Sequence, residues 1–278
     1  MATYKNIIFD LGGVVVDYTP KDFLMDRFMN RKAEQIVYTL TFGSKEWEDL
    51  DRGVIARGTA NRIMLENAAA CGRTFEVQAV IDEWESFLHT KQSTVNTMCK
   101  LKLAGYRLYY LSNIAADTMD HLKQRDFFPL FDGGIASCDV HMLKPDPQIY
   151  TLLMQQYHLA YDECIFVDDN KQNAQAAYDL GITGILYKNP RSFDRALGLC
   201  GIELPDARNS SSSSGRKPPP SNKAGPSAHL ASCQVFFCFQ QLEICSRMRQ
   251  SAPFSRRLTC AWLMPISRAT CTCVLPER

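Results

Sequence analysis

Ile7-Ile8-Phe9-Asp10-Leu11-Gly12-Gly13-Val14-Val15-Val16-Asp17 is the stretch that decides how this chain folds. An apolar run of strand length ends on a carboxylate, Asp10, and a glycine pair follows at once. A continuous apolar run is what a strand buried on both faces requires. In open α/β sheets ligands sit outside the carboxyl ends of the strands. A carboxylate at the tip of the first strand is therefore placed for chemistry. Taken alone, the stretch is equally a strand and a glycine turn with Asp10 solvated at its end, and the rest of the chain has to decide.

Beyond Asp17 the period changes from strand to helix. Pro20 suits the first turn of a helix, and Phe23, Leu24, Phe28 and Met29 recur at helical spacing. Ile36, Val37 and Leu40 mark a second helix ending near Gly43, and Trp47 and Leu50 a short third one. That one stops at Asp51-Arg52-Gly53, where glycine fits a C-terminal cap. Ile63, Met64 and Leu65 lead to Gly72, and Val77, Val80, Ile81, Trp84, Phe87 and Leu88 share one further helical face. The region 18–90 thus reads as a helical insertion without strands.

Strand and helix then alternate. The reading gives a helix through Val95, Met98 and Leu101, a strand over 106–111 ending at Ser112-Asn113, and a helix over 117–124. A short strand at 134–137 and a helix from Asp146-Pro147 follow. The apolar strand Cys164-Ile165-Phe166-Val167 ends in Asp168-Asp169, before a helix over 173–180 and a last strand over 184–187. Such alternation implies α/β architecture, a Rossmann-like open parallel sheet with helices on both faces. The domain reading is a core made of 1–17 and 91–205, the helical insertion 18–90, and a tail, 206–278.

Charge separates the tail from the rest. From Ala207 on there are ten basic and two acidic side chains, so the net charge of +1 divides into +8 for the tail and −7 for the body. A serine run at 210–214 and Pro218-Pro219-Pro220 mark a low-complexity linker. The six cysteines beyond it include no Cys-x-x-Cys pair and match no zinc pattern. The tail reads as disordered or non-native. Single, scattered body cysteines suit reduced thiols. No signal peptide and no run near the roughly 18 apolar residues of a membrane span is visible. The expectation is a cytoplasmic protein without membrane or nucleic-acid partners for its core; no pattern speaks to oligomeric state.

A parallel sheet brings its strand ends together, so Asp10, Ser112 with Asn113, Lys144, and Asp168 with Asp169 converge on one crevice. The chemistry of that set fits phosphoryl transfer. Carboxylates hold Mg²⁺, which prefers hard oxygen ligands. A carboxylate can serve as nucleophile. A hydroxyl, an amide and a lysine can hold phosphoryl oxygens.

The order of these pieces resembles the haloacid dehalogenase superfamily over about residues 4–200. Asp10-Leu11-Gly12-Gly13-Val14 is similar to its first motif, Leu111-Ser112-Asn113 to the second, Leu143-Lys144-Pro145-Asp146 to the third and Val167-Asp168-Asp169-Asn170 to the fourth. The helical block lies where that family inserts a mobile cap. With its Asp-Leu-Gly first motif and the cap pair Arg52-Gly53, the chain looks most like bacterial sugar-phosphate phosphatases of the alpha-glucose-1-phosphate phosphatase type. The resemblance implies Asp10 as nucleophile and metal ligand, and the Gly12 carbonyl, Asp168 and Asp169 as further Mg²⁺ ligands. It implies Ser112, Asn113 and Lys144 around the phosphoryl group, with Lys144 also offsetting the charge of the nucleophile. Arg52 is the cap residue favoured for substrate, which would be a small phosphorylated metabolite. Tyr18, Trp47 and His89 are weaker cap candidates, with Trp47 read first as a core aromatic. His141 lies near the crevice, whereas His121 and His158 sit on outer helices.

One departure stands out. Most phosphatases of this superfamily carry an acid/base aspartate two residues after the nucleophile, and here that residue is Gly12. General acid–base help is typically worth about 10²–10⁴ in rate. The alternatives are therefore a phosphonate hydrolase, for which Lys21, Lys32 and Lys45 are the cap lysines on offer, a haloacid hydrolase, or a binding protein without turnover. The acidic pair Asp168-Asp169 argues against the haloacid reaction, which needs no metal.

Overall fold

β1, Asn6–Phe9, is the middle strand of the molecule, and all four of its residues are buried. The computed structural model describes residues 4–205; the expected tail, 206–278, lies outside the described residues. Burying Ile7, Ile8 and Phe9 completely contributes on the order of 1.5–3 kcal/mol each. β1 pairs in parallel with β2 (Arg107–Ser112) on one side and with β4 (Cys164–Asp168) on the other. β3 (Gly133–Ala136) and β5 (Thr183–Leu186) extend the sheet, giving the order β3-β2-β1-β4-β5. The fold is a five-stranded parallel sheet with flanking helices, as the alternating pattern implies. The strand order reverses between β1 and β4, the kind of switch point where such sheets bind ligands.

The helices α1 (Pro20–Phe28), α2 (Arg31–Leu40), α3 (Lys45–Asp51), α4 (Arg57–Ala70) and α5 (Thr74–Glu83) all fall between β1 and the next helix, α6 (Gln92–Leu103). They close on a core of their own, which includes Leu24, Val37, Trp47, Met64, Val80 and Trp84 and takes in Ala115 from beyond β2. The two ends of this layer meet. Val16 bridges Thr90 in antiparallel fashion, the Asp17 amide donates to the His89 carbonyl at 2.7 Å, and that of Lys91 donates to Val15 at 2.8 Å.

After β2 come α7 (Ala116–Leu122), the single turn α8 (Ser137–Val140), α9 (Pro147–Gln156), α10 (Lys171–Asp179) and α11 (Pro190–Leu199). The sequence reading passed over α8 and α11; α11 is the longer of the two. Its start signal is present: the Asn189 side chain caps the Ser192 amide, Ser192 answers to Asn189, and Pro190 occupies the first turn. Phe193 then packs edge-on against Phe9 of the central strand. Among the described residues no helix is long and apolar enough to cross a membrane.

Candidate active site

The register of the sheet builds the site. Phe9 aligns with Val167, so Asp10 and Asp168 stand side by side at the ends of β1 and β4. Asp10 is 8 % exposed and its Oδ1 accepts three donors: the Leu11 amide at 2.7 Å, the Ser112 hydroxyl at 2.7 Å and the Lys144 ammonium at 3.0 Å. Lys144 also donates to Asp168 Oδ2 at 2.6 Å. Asp168 is fully buried, and its remaining acceptor capacity goes to the Asn170 amide and the Asn173 side chain. One buried cation thus stands between two buried carboxylates.

Asp169, the next residue, completes an acidic group. Asp10, Asp168 and Asp169 each offer an oxygen within 4.8 Å of the others. Gly13 makes that approach possible. It has φ +73°, and a Cβ there would collide with the Asp169 carboxylate. Burial pushes Asp10 up to about 7, with Lys144 opposing and Asp168 and Asp169 adding to the rise. Burial and the neighbouring Asp168 likewise raise Asp169. Burial alone would lower Lys144, but Asp10 and Asp168 outweigh it and hold the ammonium above its ordinary value. Three carboxylates against one lysine leave an excess of negative charge on hard oxygen donors, the donor chemistry suited to Mg²⁺. The residues present therefore fit that ion.

Asn113 is placed differently from a simple substrate ligand. Its Oδ1 accepts from the Lys144 amide at 2.8 Å and its Nδ2 donates to the Lys144 carbonyl at 3.0 Å. Both halves of the side-chain amide fix the backbone that carries the buried lysine. Gly12 forms an isolated parallel bridge with Val16, and a Cβ on it would meet Tyr18 Cβ at 3.5 Å, an ordinary contact.

In the helical layer Arg52 turns toward Glu48, which accepts from its guanidinium at 2.7 Å on an exposed surface. Trp47 is buried and stacks edge-on against Trp84, as expected of a core aromatic. His141 Nδ1 contacts the Arg52 carbonyl at 2.9 Å. Of the lysines considered for a Schiff base, Lys21 lies over the Tyr38 ring, Lys45 pairs with Asp49 and Lys32 is exposed.

Sequence reasoning missed a polar cluster beside Arg52. Arg57 grips Asp117 through Nε at 2.7 Å and Nη2 at 3.1 Å, and lies against the rings of both Trp47 and Trp84, each 5.0 Å from the guanidinium. Burial alone would raise Asp117, but Arg57 and Thr118 outweigh it and hold that carboxyl below its usual range. Asp51 faces the same cluster. Burial pushes it up to about 7; Arg57 opposes, and Asp117 and Asp10 add to the rise. The signal available in the sequence was the polar turn 51–53 itself, with nothing to say which side chain turns inward.

A buried strand-end carboxylate at a switch point, paired with a lysine and two further acids, defines a class of α/β hydrolases. Residues 4–181 match the family model of haloacid dehalogenase-like hydrolases, and the chain belongs to that family. A sesquiterpene phosphatase of Aspergillus oryzae is 28% identical over 184 residues, covering 66% of this chain and 89% of that protein. A D-ribitol-5-phosphate phosphatase of Bacteroides thetaiotaomicron is 25% identical over 195 residues, 64% of this chain and 88% of that one. The mouse bifunctional epoxide hydrolase 2 is 27% identical over 202 residues, 68% of this chain but only 35% of that relative's length. Solved structures share the fold. An HAD-like family hydrolase of Porphyromonas gingivalis has TM-score 0.57 at 22% identity, over 73% of this chain and all of its own. An HAD family enzyme of Bacteroides thetaiotaomicron, in complex with magnesium and inorganic phosphate, has TM-score 0.52 at 21% identity, over 66% of this chain and 94% of its own.

Proposed function

We propose that the protein is a Mg²⁺-dependent phosphatase of small phosphomonoesters, sugar phosphates among them, working through a phosphorylated Asp10. The observation that carries this is the buried Asp10–Lys144–Asp168 chain opening on Asp169. Its excess negative charge suits a dication, and its lysine suits phosphoryl oxygens. Two relatives named as phosphatases support the same reading. Asp10, the Gly12 carbonyl, Asp168 and Asp169 would hold the ion, which when bound offsets the charge of the phosphoryl group.

Asp10 attacks phosphorus, the bond to the leaving oxygen breaks, and water later releases phosphate and regenerates the carboxylate. Ser112 and the Leu11 amide orient the attacking carboxylate through Oδ1. Lys144 lowers the cost of bringing an anion against it. Asn113 acts through the backbone of Lys144, and its own amide proton adds to phosphate binding. Residues 18–90 serve as the cap over the crevice, closing it to water during the first step, and the core comprises 1–17 and 91–205. The lysines offered for a phosphonate reaction lie on the outside of the helical layer, and the Asp168–Asp169 pair would have no metal to hold in a haloacid hydrolase.

The test is phosphate release from aryl and sugar phosphates with Mg²⁺ or with chelator, beside Asp10→Asn. Release that requires Mg²⁺ and is lost in Asp10→Asn is the expected result. A folded protein that binds Mg²⁺ yet releases no more phosphate than Asp10→Asn refutes the reading.

A further inference from the structure

Two consecutive glycines, Gly12 and Gly13, lie in the loop that leads away from the nucleophile. Glycine is the residue least restrained by its own side chain. At position 13 it is required, because the Asp169 carboxylate lies where a Cβ would stand. A loop that has to offer an oxygen to a metal is thus built on its softest possible link, and another group has to hold that link in shape.

The side chain in contact with it is that of Lys91, whose ammonium donates to the Gly13 carbonyl at 2.6 Å. The same ammonium lies 3.5 Å from Asp17 Oδ1 and 5.3 Å from the centre of the Tyr187 ring. Tyr187 directly follows β5. Its amide donates to the Asp168 carbonyl at 2.8 Å, and its hydroxyl meets that of Thr94, one turn along α6 from Lys91, at 2.9 Å. The Lys91 amide donates to the Val15 carbonyl at 2.8 Å. One side chain, 23 % exposed, therefore touches both the loop after β1 and the residue fastened to the end of β4. It does so from the point where the chain returns from the helical layer.

We propose that Lys91 is a positioning residue for the Mg²⁺ site: by holding the Gly13 carbonyl it fixes the glycine pair, and with it the Gly12 carbonyl and the gap that receives Asp169. This rests on the Mg²⁺ site of the reading above. Lys91 acts through the loop and not on the ion. Its position and its charge pull in opposite directions, which makes the role separable. A cation beside an acidic group repels a dication. Asp169, raised by burial and by Asp168, feels Lys144 and Lys91 pulling the other way. If charge were the whole of its effect, removing Lys91 would tighten Mg²⁺ binding. If the hydrogen bond to Gly13 governs, removal loosens it. Groups that orient metal ligands typically account for about 10–100-fold in metal affinity, so loosening wins.

Titration calorimetry of Mg²⁺ into the full chain, Lys91→Met and Lys91→Arg tests it. Methionine keeps an apolar stem over the Tyr187 ring and removes the donor, whereas arginine restores a donor of at least the same reach. Expected is a Mg²⁺ Kd about 10–100-fold higher in Lys91→Met and within about threefold of the parent in Lys91→Arg. The urea midpoint in chelator should move little in either, because Asp17 is 40 % exposed and such pairs contribute little to stability. A rise under about tenfold in Lys91→Met, a fall, or an equal loss in Lys91→Arg overturns the role of Lys91. Calorimetry needs no turnover, so a protein that binds Mg²⁺ without releasing phosphate refutes the phosphatase reading and leaves this test in force. A parent that binds no Mg²⁺ overturns both. Should Lys91→Met fail to fold, acetylation of Lys91 in the parent by N-hydroxysuccinimidyl acetate, followed by peptide mass mapping, decides. A contact that favours the metal is favoured by it in return, so Mg²⁺ should slow the labelling at least about threefold. An unchanged rate, or the faster one expected when a dication discourages protonation of the amine, overturns it.

Discussion

Replacing Lys144 by methionine should destabilise the protein, and do so more at pH 8 than at pH 5.5. The ammonium lies 3.0 Å from Asp10 and 2.6 Å from Asp168, with 1 % of the side chain exposed. At an effective dielectric constant near 20, each contact is worth about 6 kcal/mol of Coulomb energy, which the desolvation of the ammonium largely offsets. Removing the cation alone strands two buried carboxylates, and breaking such a pair typically costs about 3–5 kcal/mol. That is a large part of the roughly 5–15 kcal/mol that holds a domain together. The pH term follows from Asp10. Its folded value is raised above the unfolded one, to about 7, so the folded state binds the extra proton and its stability falls as pH rises toward 7. At pH 5.5 Asp10 is protonated and methionine strands only Asp168. Without Lys144, which holds it down, Asp10 keeps its proton to higher pH, so at pH 8 the variant must bind a proton that the parent has lost, an added cost. Urea denaturation at the two pH values, with unchanged slope, measures the difference. A loss under about 1 kcal/mol at pH 8, or a larger loss at pH 5.5 than at pH 8, would refute the account of Lys144 as the shared counter-charge.

Two further substitutions probe the supports around it. Gly13→Ala places a side chain at φ +73°, which costs roughly 1–2 kcal/mol, and drives it into Asp169. Thermal denaturation should show that loss, and titration calorimetry should show weaker Mg²⁺ binding; unchanged Mg²⁺ affinity would separate Asp169 from the metal. Asn113→Ala removes both hydrogen bonds to the Lys144 backbone. Turnover should fall by up to about 10²-fold, the scale of an ångström's misplacement, with KM for phosphomonoester rising less than kcat falls. A change in KM alone would mean that Asn113 binds substrate and does not position Lys144.

The strands were legible because each is an apolar run between turn signals, and a parallel sheet allows few other uses for such runs. The gathering of Asp10, Ser112, Asp168 and Asp169 followed from their positions at strand ends, which the alternation supplies without any coordinates; Lys144 reaches them from the loop between α8 and α9, not from the end of β3. The role of Asn113 was not legible in the same way. Its partner is a backbone segment 31 residues away, and no pattern in the chain reports the path of that loop. At the turn 51–53 the sequence offered two charged side chains and no rule for which faces inward. Arg52 was the natural choice for an anion, but Glu48 sits one helical turn back and pairs with it. Asp51 feels the charges of Arg57 and Asp117, which reach it from two other elements. Helix α11 was missed although its start signal at Asn189-Pro190 and the pair Phe193 and Leu197, one helical turn apart, both stood in the sequence.

The bridge between Val16 and Thr90 has a consequence for how this fold can be altered. Everything between them enters and leaves through two chain segments joined side by side at Asp17–His89 and Val15–Lys91. The helices so enclosed have an apolar interior to which the sheet side adds Ala115. A doorway of that width can be closed by a short hairpin, or fitted with a different insert, without disturbing the register of any strand. Ser112, Lys144 and the acidic group would remain where they are.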